Sequence, residues 1–321
     1  MTAGPRIRVA SPSFSRHPVL RAELAARFPA ATFNPTGRTL EPDALAAFLA
    51  GAEGVVVGLE PVDEPLLLCL PTLRVVAKYG VGLDNVAVEA CARRGVTVAW
   101  TPGVNAQSVA ELTLTFMLAL ANGAFARAAE LRAGTWNKRG GTLLAGRTVG
   151  IVGLGHVGRA LATLLAPFGC RLLGNDVADR VAWCAAAGVE PVSKDALYAE
   201  ADVVTVHVPL TRDTERMIDT RVLARLRRDA VLVNTSRGGV VDQAAHHAAL
   251  VDGRLRGAAL DVWADEPAAD PALLALPNVI GTPHIGGSTD EAVLAMGRAA
   301  IAHLVRHLGA GETSPEERVW A

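Results

Sequence analysis

The stretch 148–176, TVGIVGLGHVGRALATLLAPFGCRLLGND, decides the fold of this chain. Its opening residues, 149–152, are apolar and partly β-branched, which is typical of a strand buried on both faces. The following residues, 153–158, have the pattern G-x-G-x-x-G and lead into a helical stretch and a second apolar run. Glycines at these places permit a tight turn, a close approach of backbone to a pyrophosphate, and close packing of helix on strand. The stretch therefore predicts a nucleotide-binding strand–helix–strand unit.

The acid at the end of the second apolar run, Asp176, predicts the type of nucleotide. A carboxylate there accepts hydrogen bonds from a ribose 2′-hydroxyl and repels a 2′-phosphate. The helix that begins near Val157 directs its N-terminal N–H groups at the diphosphate. We therefore predict NAD rather than NADP as the cofactor.

The composition of the chain excludes several classes of protein. Half of the 321 residues are hydrophobic, 20% are charged, and the formal net charge is −1. This balance predicts a soluble globular protein of about two domains, with neither nucleic acid nor a membrane as partner. The N-terminus has no apolar leader and no apolar run is long enough to span a bilayer, so we expect a cytoplasmic protein. The four cysteines are scattered, and we predict neither disulfides nor a metal site.

Short apolar runs alternate with helical stretches along most of the chain. This alternation favours two Rossmann-like, doubly wound α/β domains, each with a parallel sheet. Breaks at 101–103 and 282–283 suggest that the nucleotide domain is inserted in a flavodoxin-like substrate domain. We predict an NAD-binding Rossmann domain at 104–286 and a substrate-binding domain at 1–103 and 287–321, with the chemistry in the cleft between them. The predicted strands are 7–10, 55–57, 73–77, 96–99, 149–152, 170–173, 203–208, 231–234, 258–262 and 278–281.

A long apolar helix is expected between the first break and residue 121. Asn105 or Ser108 can cap it, and Ser108 with Glu111 has the spacing of a capping box. A helix this apolar is buried on most of its surface. It is either an internal core helix or a helix shared with a second subunit.

Three polar residues follow predicted strands on the side where doubly wound sheets bind ligands. They are Arg237, Glu266 and His284. Downstream of an NAD motif, they supply what hydride transfer to a 2-keto acid needs. Arg237 can bind a carboxylate and polarise a carbonyl, His284 can exchange a proton with the substrate oxygen, and Glu266 can orient the imidazole.

The chain resembles the D-2-hydroxyacid dehydrogenases over nearly its whole length, and most closely the branch that contains D-3-phosphoglycerate dehydrogenase. We expect a short form without the regulatory domain of some relatives. The resemblance also implies a homodimer formed through the nucleotide domain, with contacts in 105–121 and around Trp136. The matching stretches are 78–85, 105–113, 153–158, 207–210, 234–242, 259–266 and 283–288.

The resemblance implies a role for each matching site residue. It assigns Arg237, Glu266 and His284 to catalysis. The residues expected to bind NAD are Gly153, Gly155, His156, Val157, Gly158, Asp176, His207, Val208, Pro209, Thr235, Ser236, Asp261, Gly286 and Gly287. Those expected to bind the small-molecule substrate are Lys78, Tyr79, Gly80, Val81, Gly82, Asn105, Arg237 and His284.

Several positions depart from the family pattern. His156 stands where the glycine motif usually carries Arg, Lys or Gln, and Lys78 stands where phosphoglycerate enzymes often have Arg. Those enzymes often have a further Arg soon after the third strand, but residues 58–60 are Gly-Leu-Glu. Because a doubly charged phosphate requires more than one cation, phosphoglycerate is in question.

The identity of the substrate depends on Lys78. If this lysine anchors a second anion, the substrate is a dianionic keto acid such as 3-phosphohydroxypyruvate or phosphonopyruvate. We predict a substrate of this dianionic class. If it is an ordinary lysine at a strand end, the alternative is a glyoxylate or hydroxypyruvate reductase. A phosphite or formate dehydrogenase is a further alternative, although Val81 replaces the lysine typical of phosphite enzymes. A hypothesis of another class is an NAD(H)-sensing, corepressor-like binding protein.

Overall fold

The computed structural model describes residues 4–266 and 270–309. The chain forms two compact units, with breaks at 105/106 and 289/290. Unit 1 contains the described residues of Met1–Asn105 and Asp290–Ala321, and unit 2 is Ala106–Thr289. Unit 2 is therefore inserted in the sequence of unit 1.

The helices and strands follow in chain order. The strands are β1 (Ile7–Val9), β2 (Thr32–Phe33), β3 (Gly54–Val57), β4 (Val75–Lys78), β5 (Thr97–Ala99), β6 (Thr148–Val152), β7 (Arg171–Asn175), β8 (Val189–Pro191), β9 (Val203–Val206), β10 (Val231–Asn234), β11 (Gly257–Leu260) and β12 (Val279–Gly281). The helices are α1 (Pro12–Arg16), α2 (Pro18–Arg27), α3 (Pro42–Leu49), α4 (Glu64–Cys69), α5 (Val88–Arg93), α6 (Ala106–Asn122), α7 (Ala124–Arg132), α8 (His156–Leu165), α9 (Val181–Ala187), α10 (Lys194–Glu200), α11 (Thr220–Arg225), α12 (Gln243–Val251), α13 (Pro271–Leu274) and α14 (Asp290–Leu308). Short 3₁₀ turns lie at Ala166–Phe168 and Gly238–Val240.

Unit 1 is built on a five-stranded sheet in the order β2-β1-β3-β4-β5. All of its strand pairs are parallel. This is the flavodoxin order, in which ligands bind beyond the carboxyl ends of β1 and β3, where the strand order reverses. The closing helix α14 packs its buried face against the sheet and α2, and a Cβ on Gly297 would overlap the Leu20 side chain.

Unit 2 is built on a seven-stranded sheet in the order β12-β11-β10-β9-β6-β7-β8. Its strand pairs are also all parallel. If β6 is taken as the first strand of the unit, the order is that of the Rossmann fold, with β12 as an additional strand at one edge. Strands β9, β10 and β11 are buried at every residue, as expected for a sheet covered by helices on both faces. The predicted α/β fold class, with two doubly wound parallel sheets, is confirmed.

Some local predictions were wrong because tertiary contacts override local patterns. The proposed capping box is absent, since α6 begins at Ala106 and Ser108 is inside it; the Ser108 hydroxyl instead donates to the Gly286 carbonyl at 2.5 Å. Helix α6 ends at Asn122, close to the expected residue 121, and Gly123, with φ of 75°, leads into α7, a helix that the sequence analysis did not predict. Strands β2 and β8, of two and three residues, are too short to give a periodic signal.

Among residues 4–266 and 270–309, no single helix has the length and apolar composition needed to cross a membrane. The pair α6 and α7 meets both criteria together but is bent by 69°. Nine residues of α6 are buried in the fold, including Phe116 and Met117. Within the same described residues, no cluster of three or more His, Cys, Asp or Glu side chains could hold a metal ion.

Candidate active site

The predicted catalytic residues lie on three loops that leave neighbouring strands of unit 2. Arg237 follows β10, Glu266 follows β11 and His284 follows β12. Nδ1 of His284 is 2.8 Å from Oε2 of Glu266. Both side chains are about two-fifths exposed, at 41% and 38%. The fold therefore forms an accessible carboxylate–imidazole pair at the carboxyl edge of the sheet.

The Glu266 side chain is held on its own loop as well. Its second carboxylate oxygen, Oε1, accepts a hydrogen bond from the Trp263 backbone N–H at 3.1 Å. The indole N–H of Trp263 donates in turn to the carbonyl of Thr282, at 3.0 Å, on the loop that carries His284. Trp263 thus connects the two loops that carry the pair.

His284 has a left-handed backbone with φ of 55°, which is unusual for a residue other than glycine. The buried carboxylate of Asp261 accepts hydrogen bonds from the backbone N–H groups of Ile285 and Gly286, both at 2.7 Å. It also accepts one from the hydroxyl of Thr282, at 2.5 Å. These bonds on both sides of His284 keep it in a strained conformation that side-chain burial alone would not maintain.

Two glycines allow the three loops to lie against one another. A Cβ on Gly238 would overlap the backbone carbonyl of Trp263, and a Cβ on Gly281 would lie 2.8 Å from the Trp263 ring. Backbone cannot yield to such an overlap without moving the loop. The close approach therefore requires glycine beside Arg237 and at the end of β12.

The loop that carries Arg237 is organised by the buried amide of Asn234. Its Oδ1 accepts hydrogen bonds from the backbone N–H and hydroxyl of Ser236, and its Nδ2 donates to the Arg237 carbonyl at 2.9 Å. Thr235 is buried, with its hydroxyl 2.9 Å from that of Thr113. The Arg237 side chain is half-buried and donates to the Ser236 carbonyl at 2.7 Å.

The predicted nucleotide loop lies at the point where the strand order of unit 2 reverses, between β6 and β9. Gly153 has φ of 97°, and a Cβ there would lie 2.5 Å from the His207 carbonyl. A Cβ on Gly158 would overlap the Gly153 carbonyl oxygen, whereas a Cβ on Gly155 would meet nothing within 4 Å. Two of the glycines therefore serve packing inside the protein, and the third borders open space.

The residues around that space fit a dinucleotide. Within the described part of the chain, the N–H groups of Gly155, His156 and Val157 donate no hydrogen bond, so the start of α8 is open to an anion. Asp176 lies at the end of β7, where its carboxylate accepts a hydrogen bond from Leu154 N–H at 2.7 Å. Phosphate donors and a carboxylate for the ribose are thus both present, as NAD requires.

His207 follows β9 directly across from the glycine loop. Burial lowers the pKa of its imidazole from 6.5 to about 3, so the ring is neutral at physiological pH. Nε2 is 2.9 Å from the Thr205 hydroxyl, while Nδ1 is buried and, among the described residues, has no hydrogen-bond partner. A bound nucleotide could supply that partner.

The other predicted NAD residues border the same edge. Val157 and Val208 are half-buried, and His156 and Pro209 are exposed. Gly287 is half-buried in the loop after His284. For these residues, NAD binding stays a prediction.

The predicted substrate loop lies in unit 1, after β4. Lys78 is buried, with 4% of its surface exposed, and its ammonium donates to the carbonyl of Gly58 and to Oδ1 of Asn85, both at 2.5 Å. The Tyr79 hydroxyl is 3.3 Å from that of Ser13. Burial raises the pKa of the Tyr79 phenol, an effect that the Ser13 hydrogen bond opposes.

The backbone after Tyr79 remains available for a ligand. Gly80 has φ of 145°, a conformation that favours glycine. Within the described residues, the N–H groups of Gly80, Val81 and Gly82 donate no hydrogen bond. Asn105 is half-buried at the end of the first segment of unit 1. Binding of a carboxylate by this loop stays a prediction.

Comparison with known families identifies the chain. Residues 114–286, more than half of the sequence, match the family described as D-isomer specific 2-hydroxyacid dehydrogenase, NAD binding domain. This chain belongs to the D-isomer specific 2-hydroxyacid dehydrogenase family. Members of the family are NAD-dependent oxidoreductases, so the resemblance seen in the sequence and the predicted cofactor are confirmed.

Curated relatives of this chain carry different enzyme names. The chain is 41% identical over 277 residues to D-3-phosphoglycerate dehydrogenase of Mycobacterium tuberculosis, which covers 85% of this chain and 52% of the relative. It is 35% identical over 280 residues to hydroxypyruvate reductase of Thermotoga maritima, which covers 85% of this chain and 90% of the relative. The chain thus spans about half the length of the phosphoglycerate enzyme.

One solved structure has a fold similar to that of this chain. D-lactate dehydrogenase of Aquifex aeolicus, complexed with NAD and lactic acid, is 25% identical, with a TM-score of 0.81. The match covers 93% of this chain and 94% of that protein.

Reasoning from sequence missed the residues that hold the catalytic loops. Asn234, Trp263 and Ser108 each fix a loop through a hydrogen bond. Two of these residues could have been noticed in the sequence. Asn234 is an amide at the end of an apolar strand, and Trp263 is a tryptophan in a chain with only 4% aromatic residues. The role of Ser108 left no such signal, because its partner is far away in the sequence.

Proposed function

We propose that this D-2-hydroxyacid dehydrogenase interconverts a 2-keto acid and its D-2-hydroxy acid, with His284 as the acid–base group. The 2.8 Å contact between Glu266 and His284 carries the proposal. An ionised carboxylate only accepts hydrogen bonds, so the proton of that contact belongs to Nδ1 of the imidazole. Nε2 is then the atom that exchanges a proton with the substrate oxygen.

The residues of the chain have separate tasks in this reaction. Bound NADH supplies the hydride for reduction, and NAD accepts it in the reverse direction. Arg237 binds the substrate carboxylate and polarises the carbonyl group, because a guanidinium offers paired donors to planar anions. Glu266 keeps the imidazole oriented through the hydrogen bond to Nδ1. Asp261 keeps the His284 loop in place.

The contacts of Lys78 lead us to favour the substrate alternative without a second anion. Its ammonium is buried and donates to Gly58 and Asn85, and the Glu60 carboxylate accepts a hydrogen bond from Gly58 N–H at 2.7 Å. With 4% of Lys78 exposed, its ammonium offers little surface to a distal phosphate. We therefore propose a small monoanionic keto acid, such as glyoxylate or hydroxypyruvate, in place of the dianion first expected. The relative that is matched over nine-tenths of its length is a hydroxypyruvate reductase.

Oxidation of NADH with a panel of keto acids tests both parts of this proposal. We expect turnover with glyoxylate and hydroxypyruvate, and a value of kcat/KM at least tenfold lower with 3-phosphohydroxypyruvate and phosphonopyruvate. A preference for the dianions would restore the anchor role of Lys78. Tight NADH binding without turnover of any keto acid would instead favour an NAD(H)-sensing binding protein.

We further propose that the protein forms a homodimer through unit 2. Helix α7 has no buried residue, and the neighbouring apolar side chains Leu131, Trp136 and Leu143 are 56%, 79% and 76% exposed. An apolar surface of this kind is typical of an interface. Light scattering at micromolar concentration should give twice the mass of the chain, and a monomer would refute the proposal. The cytoplasmic location stays a prediction.

A further inference from the structure

Two hydroxyl groups, those of Ser13 and Tyr79, meet at the carboxyl edge of the unit 1 sheet. Ser13 lies in α1, which follows β1, and Tyr79 follows β4 directly; their hydroxyl oxygens are 3.3 Å apart. Because β3 lies between β1 and β4 in the sheet, the two side chains meet across the carboxyl end of β3. A sheet of this order binds ligands beyond the carboxyl ends of β1 and β3. This hydroxyl pair therefore lies at the ligand-binding edge of unit 1.

The Tyr79 side chain is held in place by the core of unit 1. Its ring packs edge to face against the ring of Phe14, with centroids 5.4 Å apart and an interplanar angle of 85°. Phe14 is fully buried and Tyr79 is 8% exposed. Ser13, in contrast, is exposed, and its helix is capped by the Ser11 hydroxyl, which accepts from Phe14 N–H at 3.4 Å. The phenol thus directs its hydroxyl at a side chain that solvent and ligands can reach.

The hydroxyl pair has unused hydrogen-bonding capacity. Among residues 4–266 and 270–309, neither hydroxyl has a hydrogen-bond partner other than its neighbour in the pair. Their separation of 3.3 Å exceeds the usual O–H···O range of about 2.5–3.0 Å, so this bond is weak. Burial raises the pKa of the Tyr79 phenol, which therefore keeps its proton at physiological pH. Since at most one hydroxyl donates to the other, a proton and several lone pairs stay available to a ligand.

The adjacent backbone indicates which part of a substrate would reach the hydroxyl pair. The N–H groups of Gly80, Val81 and Gly82, directly after Tyr79, are the donors predicted for the substrate carboxylate. In a 2-keto acid, only the keto carbon separates the carboxyl group from the third carbon, C3. A substituent on C3 therefore lies beside the carboxylate-binding loop. Both hydroxyls are neutral, so they match an uncharged group that donates and accepts, and they provide no charge to balance a phosphate.

We propose that Ser13 and Tyr79 bind a hydroxyl group on C3 of the keto acid, which makes the chain selective for 3-hydroxy-2-keto acids. This assignment rests on the proposed function, because it names the substrate class of the same reaction. A site that hydrogen-bonds a substrate hydroxyl discriminates against the analogue without it, since the polar groups of the site are then left unpaired. Pyruvate is that analogue of hydroxypyruvate, whereas glyoxylate has no C3.

Reduction of hydroxypyruvate and of pyruvate at saturating NADH tests this inference through the ratio of the two kcat/KM values. Wild-type protein should favour hydroxypyruvate by about tenfold or more. Ser13→Ala and Tyr79→Phe each remove one hydroxyl and little else, and each should lower the ratio about fivefold or more. The double variant should bring the ratio close to one, because neither hydroxyl is left to distinguish the two keto acids.

The controls separate recognition of the substrate hydroxyl from effects on the fold. Ser15→Ala removes another hydroxyl of α1, which donates to the Val9 carbonyl at 3.3 Å, and should leave the ratio within about twofold of wild type. Because Ser13 is exposed, Ser13→Ala should keep the native melting temperature, so this variant decides even if Tyr79→Phe does not fold.

The outcomes distinguish this inference from the proposed function. A wild-type ratio near one, or a ratio that Ser13→Ala leaves unchanged, would overturn the inference while the proposed reaction stands. An equal fall of both kcat/KM values in Ser13→Ala would do the same, because it would show a structural role. Turnover of neither keto acid, nor of glyoxylate, would overturn the proposed function and the inference together.

Discussion

Both oxygens of the Glu266 carboxylate accept hydrogen bonds, one from the Trp263 backbone and one from the His284 ring. The carboxylate therefore has one orientation, and it transmits that orientation to the imidazole. His284 itself is kept in a left-handed conformation by the bonds of Asp261 to the following residues. The proposed acid–base group, His284, thus depends on two carboxylates with different tasks, one exposed beside the ring and one buried beneath the loop.

Replacing Glu266 by Gln keeps the shape of the side chain but removes its negative charge and one acceptor, because an amide nitrogen donates hydrogen bonds where the carboxylate oxygen accepts them. We expect kcat for keto-acid reduction to fall at least tenfold, with NADH affinity unchanged, because the imidazole is no longer oriented by a carboxylate. Steady-state kinetics and NADH titration measure both effects. A wild-type kcat in this variant would reject the role of Glu266.

Lys78 provides a second test at a single residue. Lys78→Met removes the donor to Asn85 Oδ1 and one of the two donors to the Gly58 carbonyl, which keeps a hydrogen bond from Asn85 Nδ2; a buried acceptor left unsatisfied costs about 1–3 kcal/mol. We expect a lower free energy of unfolding, and equal loss of kcat/KM for monoanionic and dianionic keto acids. Lys194→Met, at an exposed position, serves as the control. A loss confined to the dianions would show that Lys78 binds the second anion.

At the scale of elements, the turn from β6 into α8 has one glycine that packs against backbone and another that borders the proposed diphosphate site. Gly158 lies against the Gly153 carbonyl, whereas Gly155 borders open space and has φ of −72°. The same glycine pattern therefore serves two functions that single substitutions can separate.

We predict opposite results for two alanine variants of this turn. Gly158→Ala introduces a clash with backbone and should lower the free energy of unfolding by about 1–3 kcal/mol or more. Gly155→Ala should leave stability within about 0.5 kcal/mol and weaken NADH binding at least tenfold, because the methyl group fills the phosphate space. Urea unfolding and NADH titration of each variant measure these effects. Native NADH affinity in Gly155→Ala would argue against this loop as the diphosphate site.

Sequence patterns predicted these elements where the information is local. The strand, glycines and helix of 148–176 have periodic signals that their packing follows. Of the two residues expected to cap α6, Asn105 directly precedes the helix, whereas Ser108 lies inside it and bonds to Gly286, a partner that no local pattern reveals. The order of the motifs identified Arg237, Glu266 and His284 as candidate catalytic residues. The burial of Lys78 depends on Gly58 and Asn85, which only the fold brings beside it.

For the whole molecule, a buried histidine predicts how stability varies with pH. His246 is 1% exposed, and burial, with a smaller effect of His247, lowers the pKa of its imidazole from 6.5 to about 4. The unfolded chain therefore binds a proton that the folded chain excludes between these two pH values. Stability should fall by about 3 kcal/mol as pH drops from 6.5 to 4, and should not change from this cause above 6.5.

The variant His246→Leu tests this dependence, since it removes the buried titrating group. We expect a flatter curve of unfolding free energy between pH 6.5 and 4, measured by urea denaturation. His156→Gln, at an exposed position on α8, should leave the curve as in wild-type protein. A curve for His246→Leu as steep as that of wild type would assign the acid sensitivity to other groups, such as His207.

The order of the segments in the chain has a consequence for synthesis on the ribosome. The core of unit 1 joins Phe14 and Leu20, near the start, to Ile301 and Leu304 on α14. A Cβ on Gly54 would lie 2.6 Å from the Leu308 side chain, so β3 and α14 pack in close contact. The N-terminal sheet therefore emerges without its covering helix and must wait, with its apolar face uncovered, until all of unit 2 has been translated. Unit 2, whose segment is continuous, can fold first, and the apolar surface of the nascent N-terminal segment is exposed to aggregation during that interval.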